Sequence, residues 1–201
     1  MSEPDADLSE TVLEEAGNRG PTMRLRDFVS LAERHHGGGP GVDAGLLARY
    51  ARALDERGGP VEAADFEGRL SAARTDSPSW AGPDAVYEVG EGRVSAVPRA
   101  WHERLDGESA LVDYLAVIRD DVADTNAAFD VGGAGYGVPA SVLTEATAVV
   151  DGADVERTRA AIDRLRREGV FAVDADQHPH ARVRFTDEAR PDGLAPEGDE
   201  E

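Results

Sequence analysis

The chain has 201 residues, 41 Asp and Glu against 21 Arg, no Lys, and a formal net charge of −20. It has no cysteine, which excludes disulfide bonds and thiolate chemistry. Nothing in it resembles a secretory leader or an apolar run of the roughly 18 residues that a membrane span needs, so we expect a cytoplasmic protein that does not enter membranes.

The acidic excess is typical of proteins that work in a cytosol of molar salt. At about 1 M salt the Debye length is about 3 Å, so like charges on a surface repel one another little. We interpret the charge as halophilic adaptation and not as mimicry of nucleic acid. An acidic isoelectric point is then no argument against DNA binding.

Both ends of the chain are acidic. Residues 1–20 contain six acids and one arginine, and the last segment, TDEARPDGLAPEGDEE, has a similar composition. Segments of this kind bury too little apolar surface to offset the entropy of ordering. We therefore predict acidic tails at residues 1–21 and 187–201 that are disordered or marginally helical.

Residues 22–105 contain three segments whose apolar residues recur at helical spacing. These segments are TMRLRDFVSLAERHH, VDAGLLARYARALDERGG and PVEAADFEGRLSAARTD. The stretch AVYEVGEGRVSAVP then predicts a β-hairpin around a three-residue loop, Gly90–Glu91–Gly92. The predicted order is helix, helix, helix, hairpin. The alternative is a small helical bundle with a lone hairpin packed on it.

Residues 106–186 repeat that order. The apolar stripe of the first helix consists of Leu111, Tyr114, Leu115, Ile118 and Val122. The stretch VPASVLTEATAVV predicts the second helix, and Asp154 is the expected N-cap of a third helix that ends before Gly169. The segments VFAV and ARVRF, joined by DADQHPH, predict the hairpin.

In the winged helix-turn-helix, a hairpin called the wing follows a recognition helix, which is the order predicted here. We therefore predict a mainly α fold with small β-hairpins, arranged as tandem winged helices. Residues 106–186 form one such domain, and residues 22–105 form a helical domain with a hairpin that is a candidate for the other.

The third helix of the second repeat carries five arginines. At 100° per residue, its core face consists of Val155, Thr158, Ile162 and Leu165. The opposite face consists of Arg157, Ala160, Arg164 and Arg167. From Pro139 to Thr186, eight acids and seven arginines give a local net charge of −1, so the acidic excess lies elsewhere in the chain. Such a face suits a phosphate backbone or a major groove.

Acidic neighbours offer another interpretation of the same arginines. Asp163 precedes Arg167 by four residues, and Glu156 precedes Arg159 by three, and such surface pairs are worth a few tenths of a kcal/mol. Nucleic-acid contact, a protein docking face and mere solubility all remain open. Because phosphate-based affinity falls steeply with salt, three arginines need dimerisation, direct base contacts or a larger complex to bind DNA at molar salt.

The stretch YGVPASVLTEATAVVDGADVERTRAAIDRLRREGVFAV resembles the small winged helix that ends archaeal minichromosome maintenance helicases. The resemblance covers about 50 residues and includes no ATPase segment. It implies that Arg157, Arg164 and Arg167 lie on an exposed recognition helix. It also implies that Arg182 and Arg184 lie on the wing, which makes all five arginines candidate DNA-binding residues.

The duplicated layout is also similar to that of segregation-and-condensation protein B, a family of acidic tandem winged helices that bridges a condensin-like kleisin. The stretch VSAVPRAWHERLDGESALVDYLAVI follows the family's order of elements from the first wing to the second domain. GGAGYGVPAS stands where the family has an Arg-Gln-Pro-Val-Thr-Arg-like run. This resemblance implies an adaptor that docks on a larger replication, condensin-like or transcription complex.

Other motifs give no support to catalysis or ligand binding. VGGAGYG does not have G-x-G-x-x-G spacing, and Lys-Ser/Thr does not follow it. Asp174, Asp176, His178 and His180 are close in sequence, but at a wing tip we expect them to be solvated. We therefore expect no enzymatic activity, catalytic residue, cofactor or metal. The sequence favours a DNA-binding protein of transcription regulation or chromosome maintenance, with the adaptor as the alternative, and it leaves the oligomeric state open.

Overall fold

A computed structural model describes residues 8–36, 38–105, 109–122, 124–129, 136–174 and 181–194. The chain divides into two compact units, one formed by Met1–Pro78 with Asp84–Arg99 and the other by Ser79–Pro83 with Ala100–Glu201. The second unit therefore includes Ala100 onwards, rather than beginning at residue 106, and takes five residues from the preceding linker. Both units are mainly α with small β-sheets, as predicted.

The first unit contains four helices and four strands among its described residues. They are α1 (Glu10–Arg19), α2 (Leu25–His35), β1 (Val42–Asp43), α3 (Ala44–Glu56), α4 (Ala63–Ala73), β2 (Arg74–Thr75), β3 (Val86–Gly90) and β4 (Arg93–Ser95). Its sheet has the order β1-β4-β3-β2, in which β4 is antiparallel to both neighbours and β2 is parallel to β3.

The remaining elements follow in chain order. They are α5 (Arg99–Arg104), α6 (Leu111–Asp121), α7 (Thr125–Ala128), β5 (Val138–Pro139), α8 (Ala140–Val150), α9 (Val155–Arg167), β6 (Phe171–Asp174) and β7 (Arg182–Phe185). The strands of the second unit form an antiparallel sheet of order β5-β7-β6. The predicted order of three helices and a hairpin is confirmed as α2, α3, α4 and β3–β4 and as α6, α8, α9 and β6–β7, with α1, β2, α5 and α7 as additional elements. A two-residue strand directly precedes α3 and α8.

The hairpin of the first unit turns more tightly than its sequence indicated. Gly90 pairs with Arg93, so the loop consists of two residues, Glu91 and Gly92, and not of three. Their φ angles are 52° and 77°, and positive φ at both central residues matches the right-handed twist of the flanking strands.

The described part of the predicted tail over residues 1–21 is neither disordered nor marginally helical, because Glu10–Arg19 forms a packed helix. Helix α1 lies against α2 and α3, and it buries Val12, Leu13 and Ala16. The backbone N–H of Ser9 also donates to the hydroxyl of the buried Tyr50 at 2.6 Å. Three apolar residues suffice here because α2 and α3 already present an apolar surface that they cover. Residues 1–7 lie outside the described residues.

The predicted C-terminal tail is described only as far as residue 194. Residues 187–189 form a turn, and Arg190 is paired with the carboxylate of Asp187. This short stretch is therefore locally structured, and residues 195–201 lie outside the described part.

Edge-to-face aromatic contacts hold the core of the first unit. The ring of Phe28 on α2 lies 6.5 Å from that of Tyr50 on α3 and 5.8 Å from that of Phe66 on α4, centroid to centroid. The buried Glu33 ties α2 to the sheet, because its carboxylate accepts hydrogen bonds from Gly41 N at 2.7 Å and Ala96 N at 3.1 Å.

Helix α6 buries most of its predicted stripe, and α8, which forms where VPASVLTEATAVV predicted a helix, buries one side as well. On α6, Tyr114, Leu115 and Ile118 are buried, as is Val122 just after the helix, whereas Leu111 is half-buried. On α8 the buried residues include Val142, Leu143, Ala146 and Val149. Periodicity therefore located the core of this unit correctly.

One arginine contact occurs in both units. In the first unit Arg93 begins β4, and its guanidinium donates to the carbonyls of Pro40 at 2.9 Å, Gly39 at 3.2 Å and Gly41. The second unit has Arg182 at the start of β7. We call each arginine, together with the carbonyls that it binds, an arginine clasp.

The clasp of the second unit is fully interior. The side chain of Arg182 donates to the carbonyls of Thr125 at 2.9 Å, Gly137 at 3.0 Å and Phe129 at 3.1 Å. Only 5% of Arg182 is exposed. Its assignment as a DNA-binding residue is therefore wrong, because its donors already bind the backbone of the loop that leads into β5.

A glycine next to each clasp lets the loop approach the last strand. Gly41 and Gly137 have φ of +76° and +118°, and an added Cβ would lie 2.9 Å from the Val94 carbonyl oxygen or 2.8 Å from that of Val183. The strand pairs that follow are equivalent as well, since Val42 pairs with Val94 and Val138 with Val183. The two units therefore share a local design in detail as well as an order of elements.

Loss of the interior clasp should destabilise the second unit. Replacing Arg182 by Ala leaves three buried carbonyls without their donor, and we expect the free energy of unfolding to fall by about 3 kcal/mol. Arg184→Ala is the matched control, with an expected loss of under about 1 kcal/mol because Arg184 is half-exposed. Urea unfolding followed by tryptophan fluorescence reports this unit, since it contains both tryptophans. Equal losses of unfolding free energy in the two variants would show that the hydrogen bonds of Arg182 do not stabilise this unit.

Protonation of His102 should destabilise the same unit in weak acid. Burial lowers the pKa of His102 on α5 from 6.5 to about 4. The unfolded chain thus binds the proton more tightly, so stability is complete above pH 6.5 and is lost as the pH falls towards 4. Between pH 7 and pH 5 we expect His102 to contribute a loss of about 2 kcal/mol. His102→Gln should remove this part of the pH dependence in tryptophan-monitored unfolding, and an unchanged dependence would refute it.

Candidate nucleic-acid interface

Helix α9 begins and ends as its sequence predicts. The carboxylate of Asp154 accepts a hydrogen bond from Arg157 N at 2.9 Å, which confirms it as the N-cap. Gly169 follows the C-cap residue with φ of +75°, and Val170 N donates back to the carbonyl of Leu165 at 2.9 Å. Both ends of the helix are therefore fixed by local hydrogen bonds.

The predicted core face of α9 is confirmed at its centre. Thr158 and Ile162 are buried, whereas Val155 and Leu165 are half-buried. The hydroxyl of Thr158 also lies 3.1 Å from the hydroxyl of Thr147 on α8. This contact and the burial of Ile162 fix the rotation of α9 about its axis, and so decide which residues face outward.

The outward face of α9 carries Arg157, Arg164 and Arg167, all exposed as predicted. We call these three residues the α9 arginine face. Ala160, between the first two, is exposed too. Arg159 and Arg166, which belong to neither of the two predicted faces, are exposed as well. The helix therefore presents more positive charge to solvent than the sequence indicated.

The acids beside these arginines hold them only loosely. The Arg164 Nε lies 3.9 Å from the Glu168 carboxylate, and the Arg167 Nε donates to the main-chain carbonyl of Asp163 at 3.2 Å. The side chain of Arg157 has no hydrogen bond or ion pair with any described residue. The predicted pair of Arg159 with Glu156 is confirmed at 2.6 Å. Exposed pairs of this kind are worth under about 1 kcal/mol, so a phosphate can displace them.

Arg184 remains available in part. Its Nε lies 4.0 Å from the carboxylate of Asp174 on the neighbouring strand, and 39% of its side chain is exposed. Of the two wing arginines in the sequence prediction, Arg184 is therefore the one that a ligand can reach. The four accessible candidates are Arg157, Arg164, Arg167 and Arg184.

Helix α4 occupies the matching position in the first unit and has a different surface. Its exposed charged residues are Asp65, Glu67 and Arg69. The acids outnumber the arginine, so α4 lacks the positive face of α9. The shared order of elements therefore supports two different surfaces.

The structure describes only part of VGGAGYG and of the segment from Asp174 to His180. Asp174 is exposed on β6, whereas Asp176, His178, His180 and most of VGGAGYG lie outside the described residues. Within the described ranges, no group of three His, Asp or Glu residues is arranged to hold a metal ion. None of the helices in that part of the chain has the length and apolar character that a bilayer span requires.

Comparisons of the chain with models of protein families, with curated proteins and with solved structures found no match. The case for a function therefore depends on the surfaces of the two units.

Removing the α9 arginine face should leave the fold intact. We expect the triple variant Arg157→Gln, Arg164→Gln, Arg167→Gln to change the free energy of unfolding by less than about 1 kcal/mol, because the side chains are exposed and glutamine favours helices. Asp154→Ala should cost about 1 kcal/mol by loss of the N-cap. Urea unfolding measures both, and a triple variant far less stable than Asp154→Ala would show that the arginines support the core.

Proposed function

We propose that both units are winged helices and that the second binds duplex DNA through the α9 arginine face. Each unit contains a short strand, two helices and a hairpin in that order, which are β1, α3, α4 and β3–β4 in the first unit and β5, α8, α9 and β6–β7 in the second, and the short strand pairs with the last strand. In winged helices the helix before the hairpin enters the major groove. That helix is α9 in the second unit, which is why its exposed residues matter most.

The observation that carries the proposal is the exposed and loosely paired state of Arg157, Arg164 and Arg167 on a chain of net charge −20. Arginine donates in a planar fork that suits phosphate oxygens and the edge of guanine. The exposed Ala160 between the first two side chains lets the helix axis approach the DNA closely. Arg184 on β7 adds a second contact from the hairpin.

The same surface fits a role in transcription regulation or chromosome maintenance in a halophile. The resemblance of this unit to the winged helix of archaeal minichromosome maintenance helicases supports a role in chromosome maintenance. At molar salt, counterion release no longer drives binding strongly. We therefore expect direct base contacts, or a second DNA-binding subunit, to supply most of the affinity.

The acidic α4 favours a second function for the first unit. Asp65 and Glu67 would repel a phosphate backbone at the position that α9 occupies in the other unit. A protein partner meets no such repulsion, so the first unit is better suited to dock on a replication, condensin-like or transcription complex. The chain would then join DNA to that complex, as the similarity to segregation-and-condensation protein B implies.

Charge reversal on α9 should abolish DNA binding. Duplex affinity of the full chain is measured by fluorescence anisotropy from about 0.2 to 2 M KCl, a range over which phosphate contacts weaken steeply. We expect the triple variant Arg157→Glu, Arg164→Glu, Arg167→Glu to lose binding at every salt concentration. The Gln triple variant should reduce the magnitude of the slope of log affinity against log salt by about 2 to 3, since each lost phosphate contact removes about 0.9 from that slope.

The matched control reverses three exposed arginines of the first unit, Arg19, Arg52 and Arg57, and so changes the net charge by the same amount. This control should bind DNA nearly as well as the wild type. Equal losses of duplex affinity in the two triple variants would show that only net charge matters. Unchanged duplex binding in the α9 variant would refute the assignment of the α9 arginine face as the DNA contact. A stoichiometric partner recovered from a nuclease-treated, high-salt lysate, without measurable duplex binding, would favour the adaptor alone.

A further inference from the structure

The first unit contains a groove that the proposed DNA contact does not use. It has a volume of about 710 Å³ and lies between the start of α2, the end of α4 and the start of β3. Its floor is apolar and includes Met23, Leu25 and Ala73, of which Met23 is buried and the other two are half-buried. A groove of this size can take one or two side chains of a bound segment.

Two arginines and one carboxylate line the same groove. The guanidinium of Arg24 lies 3.7 Å from the carboxylate of Asp84, and both side chains are well exposed. Arg69, on the other wall, has no hydrogen bond or ion pair with any described residue. The charges lining the groove therefore sum to +1 on a chain whose net charge is −20.

The charge of the lining points to an anionic occupant, and its apolar floor points to one that also carries apolar side chains. A nucleic-acid strand fits poorly, because the exposed Asp65, one helical turn before Arg69 on the same side of α4, would face a continuous row of phosphates. A peptide presents its carboxylates singly. It can place one carboxylate at Arg69 and another at Arg24, with an apolar side chain between them on the floor.

We propose that this groove binds an acidic peptide segment of a partner protein, with apolar side chains on Met23, Leu25 and Ala73 and carboxylates at Arg24 and Arg69. The site is separate from the α9 arginine face, and it does not require that α9 bind DNA. It gives the first unit a defined ligand chemistry.

The test uses a random dodecapeptide library displayed on phage and selected against the full chain. Selected peptides are synthesised with a fluorescent label, and their Kd values are measured by anisotropy for the wild type and three variants. Arg69→Glu reverses a charge of the lining, and Ala72→Phe fills space in the groove from the exposed side of α4. Arg52→Glu, on α3, is the matched control, because it makes the same charge change at an exposed arginine that does not line the groove.

We expect selection to return peptides in which Asp or Glu alternates with Leu, Ile or Phe. Their Kd should rise at least about tenfold with Arg69→Glu and with Ala72→Phe, and should change less than about twofold with Arg52→Glu. Urea unfolding of each variant, followed by circular dichroism, checks that the first unit still folds. If Arg69→Glu does not fold, Arg69→Gln replaces it, with the same direction of change expected.

Three results would overturn the proposal. One is a selection without acidic peptides, or with peptides that bind both groove variants as tightly as the wild type. Another is a loss of duplex binding in Arg69→Glu, which would make phosphates the ligand. The third is a dimer in sedimentation that Arg69→Glu dissociates, which would make a second copy of the chain the occupant. None of these depends on whether the α9 arginine face binds DNA.

Discussion

The arginine clasp is the contact on which each unit depends. In the second unit Thr125, Phe129 and Gly137 are buried, and an unsatisfied buried carbonyl is costly. In the first unit Gly41 is buried, whereas Gly39 and Pro40 are exposed. A guanidinium has five N–H donors in one plane, so a single side chain can satisfy three carbonyls at once. Arg182 does this for Thr125, Phe129 and Gly137, as Arg93 does for the loop at Gly39–Gly41. Each clasp thereby aligns the short strand with the last strand and fixes the hairpin behind the third helix.

The chain has no lysine, and its arginines occur in two different environments. In the clasps arginine donates to several main-chain carbonyls, from a buried side chain at Arg182 and a half-buried one at Arg93, and on α9 it is an exposed cation beside acids that hold it weakly. The same chemistry serves in both environments, since the planar fork that binds carbonyls also suits phosphates. Arg182 lies in the interior, whereas Arg164 is exposed to solvent. The two units also differ in the charge of the helix before the hairpin, because the exposed face of α4 is acidic and that of α9 is basic.

Sequence patterns located most of the elements, but they did not assign every side chain. Helical periodicity found α2, α3, α4, α6, α8 and α9, because each has an apolar stripe that packs against its neighbours. The packing of helix α1 was missed because its stripe has only three apolar residues and depends on a surface built by later elements. Arg182 was misassigned because a short strand in the middle of a sheet carries no alternation that marks its inner face. Arg93 and Arg182 each stand directly before a valine, and each lies in a strand that pairs with a strand beginning at a valine after a glycine. This equivalence is visible in the sequence and was not used in the prediction. The groove at Arg24 and Arg69 has no such signal, since it joins residues far apart in the chain.

We propose that the arginines of the second unit fall into an interior class, which stabilises the fold, and an exterior class, which binds DNA. Side-chain NMR of arginine Nε–H groups, recorded while duplex DNA is added to the full chain, tests it most directly. We predict that the signals of Arg157, Arg164 and Arg167 shift progressively with added DNA, whereas the signal of Arg182 stays in place and exchanges slowly with solvent. A shift of Arg182, or a titration in which none of the three α9 signals moves, would contradict the account.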